Sequence, residues 1–185
     1  MAQTIEPAVD ADVARSFRTG VAKTQASREK VKARLEDVVA RLEEVRTPLA
    51  AFASGPIAVR TALQLDGGMI LADLENTRGY VLMLKNAIGQ LLEPALSAAT
   101  DPISAVSVQA TLRGFVAGLE QSLANTKEVA AQAVTSAGGV VEALMQDDKA
   151  TAATLHADAA RAIAPGIAEI DGAVASLAVL KKSLL

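Results

Sequence analysis

The stretch VKARLEDVVARLEEVRTPLAAF, residues 31–52, decides the fold class. Val31, Leu35, Val38, Leu42, Val45, Leu49 and Phe52 follow alternating steps of four and three. That heptad spacing places every one of them on a single stripe of an α-helix. Traced backwards, the register meets Thr24, Val21 and Phe17, with Arg28 standing in a seam slot where an apolar residue is expected. A polar group at such a slot fixes helix register at some cost in stability.

Working outward, the same pattern recurs. A second segment carries Ile70, Leu74, Thr77, Val81, Leu84, Ile88, Leu91 and Ala95. A third carries Val108, Leu112, Phe115 and Leu119, then blurs into Ala, Ser and Thr, with Val134, Val141 and Leu144 on a nearby stripe. A fourth carries Ile163, Ile167, Ile170, Val174, Leu177 and Leu184, interrupted by Lys181. These stripes are the expected core seam, and no stretch sustains the period-two alternation of a strand.

The punctuation between them is consistent. Gly55-Pro56 reads as a stop, with Gly55 suited to a left-handed C-cap. Asp101-Pro102 reads as an N-cap and first helical position. Asp147-Asp148 supplies a further break and cap before Lys149. The expected helices cover about 9–53, 57–99, 102–146 and 148–184. Joined by short connections, they must run alternately up and down. The expected fold is therefore all-α: an elongated antiparallel up-down-up-down four-helix bundle with coiled-coil-like packing. Residues 1–8 read as a tail and 9–185 as one domain. Pro48, Pro94 and Pro165 fall inside apparent helices and should kink or break them. Gly67-Gly68 is a candidate split of the second helix into 57–65 and 69–99. Thr47-Pro48 is a candidate start of a short new one.

Composition narrows the chemistry. The chain of 185 residues is 51% hydrophobic yet only 2% aromatic, and alanine supplies 39 of its residues. Alanine favours helix strongly but fills a core weakly. Residues 1–50 hold 17 of the 39 charges, so the first helix should be the most solvated. With no cysteine and one histidine, disulfide frameworks, zinc fingers and thiol nucleophiles are excluded. The net charge of −3 and scarcity of aromatics argue against nucleic acid as a partner.

Individual residues give no catalytic pattern. His156 reads as a partly exposed helical histidine, since its surroundings lack metal-ligand spacing. Di-iron bundles need paired Glu-x-x-His motifs, which this chain lacks. Glu43-Glu44 points two ways around a helix and reads as a solvated face. Arg28, Lys30, Lys32 and Arg34 interleave with Glu29, Glu36 and Asp37, the pattern of an ion-paired flank. Lys181-Lys182 suits the negative end of a helix dipole. No cofactor, metal or catalytic residue is expected.

The sequence thus points to a non-enzymatic protein acting through protein–protein contacts: a self-assembling scaffold, adaptor or chaperone-like module. Its surplus of Ala-rich surface must be covered by another copy or another molecule. A lipid surface is the alternative cover. A ligand-sensing bundle, with a small molecule near Pro94 or Pro165, is the second alternative. The N-terminus has neither the basic nor the apolar region of a secretory signal. No 18-residue window is free of charge; residues 129–146 come nearest. A cytoplasmic location is the resulting expectation.

Overall fold

In the computed structural model, residues 11–66, 68–99 and 102–184 are described. All secondary structure among them is helical. There are five helices rather than the four expected. Helix α1 is Ala11–Ser54 and α2 is Val59–Asp66. Helix α3 begins as Met69–Ala87, widens into a π turn at Ile88–Leu92 and closes as Glu93–Ala99. Helix α4 is Pro102–Met145 and α5 is Lys149–Ser183.

The extra helix comes from a break before Gly68, the alternative that the glycine pair suggested. Gly68 adopts φ 68°, a left-handed conformation that glycine reaches without a Cβ clash. Its N–H donates to Leu65 O and its carbonyl accepts from Leu71 N–H. Gly67, Thr100, Asp101 and the tail 1–8 lie outside the described residues.

Two expected interruptions are absent. Pro48 and Pro165 sit within α1 and α5, which continue through them. Thr47 starts no new helix; its hydroxyl donates back to Glu43 O at 2.8 Å. Pro94 differs, because the π turn comes directly before it. A proline ring collides with the carbonyl four residues earlier, and widening the turn moves that carbonyl away.

The helix ends correct one cap assignment and bear out another. Gly55 is not left-handed; its N–H donates to Ala51 O at 3.0 Å. A Cβ there would strike that carbonyl, so close approach is what requires glycine. The left-handed residue of the α4–α5 turn is Asp147, with φ 56°. Asp148 is the N-cap, its carboxylate accepting from Thr151 N–H at 3.0 Å.

Contacts along the helices show their relative directions. From Thr24 to Arg41 on α1, the partners on α3 fall back from Ala95 to Tyr80. From Glu75 to Lys85 on α3, those on α4 fall from Lys127 to Glu120. Ser122 of α4 meets Glu169 of α5, whereas Gly139 lies against Leu155. Glu36 and Arg46 of α1 pair with Lys181 and Asp171 of α5. Each of these pairs is antiparallel. Helix α2 packs on α4 and buries Ala62 and Leu65.

The core is one continuous cluster. Val31, Leu35, Val38, Leu42, Val45, Leu49 and Phe52 of α1 are buried in it. So are Leu74, Val81, Leu84 and Ile88 of α3, Leu112 and Leu119 of α4, and Ile163, Ile170 and Leu177 of α5. Arg28 is half-buried in its seam slot.

Ala95, Val134, Val141 and Leu144 of the expected stripes are only half-buried, and so are Leu91, Phe115, Ile167 and Val174. The places of the last four are taken by Leu92, Val116, Gly166 and Ala173. In α4 the inward line is Leu112, Val116, Leu119, Leu123, Thr126, Ala130, Ala133, Ala137 and Val140. In α5 it is Ala152, His156, Ala159, Ile163, Gly166, Ile170, Ala173 and Leu177. Both lines keep heptad spacing, but through small residues. The reason is close backbone approach: a Cβ on Gly166 would lie 3.0 Å from Val129 Cγ1. Val108, also expected inward, is exposed.

Candidate functional site

His156 is 8% exposed, not the partly exposed residue expected. Its Nε2 lies 2.7 Å from Phe52 O, and its ring packs on the Phe52 ring with centroids 4.9 Å apart. A carbonyl only accepts, so Nε2 carries the hydrogen and donates. Phe52 O belongs to the last turn of α1, where carbonyls lack helical partners. His156 therefore caps α1 from α5, a structural task.

The basic run of α1 is ion-paired along its flank. Lys32 pairs with Glu29 at 2.7 Å and Arg34 with Asp37 at 3.1 Å. Glu44 pairs with Arg41, whose guanidinium also lies over the Tyr80 ring. Lys181 reaches Glu36 on α1, so it does more than face the end of its own helix. That contact holds the Glu36 carboxyl below the usual carboxylate range. Lys127 does the same for Glu75.

At the end of α3, Glu93 is 9% exposed and is gripped bidentately by Arg113 of α4, at 3.0 and 2.6 Å. The pairing raises the Arg113 guanidinium further above its ordinary value. Gln109 donates to Ser97 Oγ at 2.8 Å beside it. Among the described residues no group of three or more His, Asp or Glu side chains is placed to hold a metal.

A groove of about 640 Å³ runs between α4 and α5. Phe115, Gly118, Leu119 and Ser122 form one wall; Pro165, Ala168, Gly172, Ala173 and Ser176 form the other. Glu169 also lines it, with its oxygens occupied by Ser122 Oγ at 2.8 Å and Asn125 Nδ2 at 3.5 Å. The rim of α5 is a four-residue repeat of small exposed side chains: Ala164, Ala168, Gly172 and Ser176. Gly114 and Gly118 continue the theme on α4. A Cβ added at Gly114, Gly118 or Gly172 would meet nothing within 4 Å. Its rims carry small residues, while Phe115, Leu119, Pro165 and Glu169 supply the larger side chains of its lining.

Three of its lining residues, Phe115, Leu119 and Ala173, lie on or beside the heptad seams. The stripe of small residues on the outer rim was missed. Its signal was present as Ala164-x-x-x-Ala168-x-x-x-Gly172-x-x-x-Ser176, hidden because small residues look like filler. Helix α5 is also, over Lys149–Lys182, long and apolar enough to cross a membrane; 28% of its most apolar window is buried. Compared with protein-family models, curated proteins and solved structures, the chain matches none.

Proposed function

We propose that this chain is a non-enzymatic, self-assembling scaffold. In this reading it is an elongated up-down-up-down four-helix bundle in which α2 and α3 together form the second rod. Two copies meet groove to groove along α4 and α5. The observation that carries the reading is the exposed small-residue groove. Gly114, Gly118, Ala164, Ala168, Gly172 and Ser176 on its rims are small enough to let a second backbone approach. A patch that can face its own copy across a two-fold axis closes into a dimer. Burying its alanines and glycines would also cover part of the apolar surplus that this composition creates.

The chain has no native cysteine, so an introduced thiol is unique. Ala168→Cys places it in the groove and Ala40→Cys on the exposed side of α1. Under mild oxidation, A168C should form a disulfide-linked dimer and A40C should not. Equal crosslinking of both, or of neither, refutes the groove as the meeting surface.

The apolar length of α5 supports a second reading, in which that helix lies against a lipid surface. This reading requires the chain to co-sediment with neutral or anionic liposomes. Recovery entirely in the supernatant removes it.

A further inference from the structure

The seams of α1, α4 and α5 keep alternating steps of three and four, but the seam of α3 does not. Ile70, Leu74, Thr77, Val81, Leu84 and Ile88 obey it; Leu92 and Leu96 then follow at steps of four. The departure falls in the π turn Ile88–Leu92, which holds one residue more than an α turn. The sequence between 88 and 96 therefore carries two apolar registers. An unbroken α-helix turns Leu91 and Ala95 inward. The π turn brings in Leu92 and Leu96 instead, and with them Glu93.

Proline alone does not force the wider turn, because Pro48 and Pro165 sit in uninterrupted α-helix in the same molecule. What differs at Pro94 is that the residue directly before it, Glu93, is buried and gripped by α4, whereas the Arg46–Asp171 pair near Pro48 is more exposed. Arg113 holds both oxygens of Glu93, Gln109 reaches Ser97 Oγ, and the Gln109 amide also approaches Glu93 O at 3.4 Å. On the other side, Thr24 Oγ1 donates to Ala95 O at 3.3 Å. The side chain of Arg113 is 69% exposed, so an anionic group arriving from solvent reaches the guanidinium directly.

We propose that 88–99 is a two-register element latched by the Glu93–Arg113 pair. Releasing the latch lets the closing turns of α3 slip by one residue. Leu91 and Ala95 rotate inward, while Leu92 and Leu96 rotate out and present a new apolar face. A helix packed in a core is bistable rather than continuously deformable, which makes the slip discrete.

Single thiols report the register. Leu91→Cys and Leu92→Cys are each made alone and again with Arg113→Gln, and labelled with a thiol reagent. With Arg113 present, Cys at 92 should react far more slowly than Cys at 91. Arg113→Gln should raise the rate at 92 about tenfold, the scale of a lost charged hydrogen bond, and lower the rate at 91. Unchanged rates overturn the proposal. So does a rise at both positions, which marks fraying rather than slip.

Deletion of Gln90 gives a second check that does not depend on Arg113 variants folding alone. Without the extra residue, Ile88, Leu92 and Leu96 fall into ordinary heptad spacing. In that background Arg113→Gln should leave labelling at 92 slow. A tenfold rise there as well would show that Arg113 merely buttresses the turn.

Discussion

His156 holds a seam position between Ala152 and Ala159, yet its function is set by one backbone atom on another helix. Its hydrogen bond satisfies Phe52 O, and the ring fills the space beside Phe52. His156→Ala removes both and leaves a buried carbonyl without its donor. The loss should be about 1–3 kcal/mol in urea unfolding. An unchanged midpoint would mean that water caps α1 equally well. The sequence reading began this stripe at Ile163, so Ala152, His156 and Ala159 were not expected on it. The carbonyl that His156 serves is 104 residues away and follows from no local pattern.

The carboxylates act at the same scale. Hydrogen bonds from Thr151 hold the Asp148 carboxyl low, as Lys181 does for Glu36 and Lys127 for Glu75. Each binds a proton less readily folded than unfolded. Their stabilisation is complete above the usual carboxylate range and is lost as pH falls through their lowered values. The melting temperature should therefore fall on acidification below about pH 4. Asp148→Asn should flatten that fall, seen by circular dichroism across the acid range. A slope identical to the unaltered chain would assign acid sensitivity elsewhere.

At the scale of the element, α4 and α5 pack through small residues, and glycines test that directly. Gly166 faces Val129, so Gly166→Leu must push the two helices apart. The overpacking should cost about 1–3 kcal/mol. At concentrations where the chain is monomeric, Gly118→Leu and Gly172→Leu project into open space and should hold or raise stability by up to about 1 kcal/mol through helix propensity. Thermal melts of the three variants check the contrast; equal effects would contradict the packing. Helix type and most ends were legible because heptads and Asp-Pro or Gly-Pro punctuation are local signals. The phase of α4 and α5 was not. Large residues such as Phe115 and Ile167 suggested one stripe, while close approach of the backbones selected Val116 and Gly166. The one-residue shift at Leu92 was equally hidden, since Leu91 fits an unbroken heptad.

At the scale of the whole molecule, the sequence foretold a surplus of apolar surface without its location. Its large exposed side chains include Leu63, Met69, Leu82 and Met83 on α2 and α3, while small residues of α4 and α5 rim the groove. Charge is used differently: ion pairs tie α1 to α5 and α3 to α4 on the outside, through Arg46–Asp171 and Lys85–Glu120. Such exposed pairs set orientation more than stability. The reading of a self-assembling scaffold therefore rests on the groove alone. Sedimentation equilibrium of the full chain, beside Gly172→Leu, tests it most directly. The unaltered chain should form a concentration-dependent dimer and G172L should stay a monomer. A monomer at every concentration, or a dimer that G172L leaves intact, would contradict it.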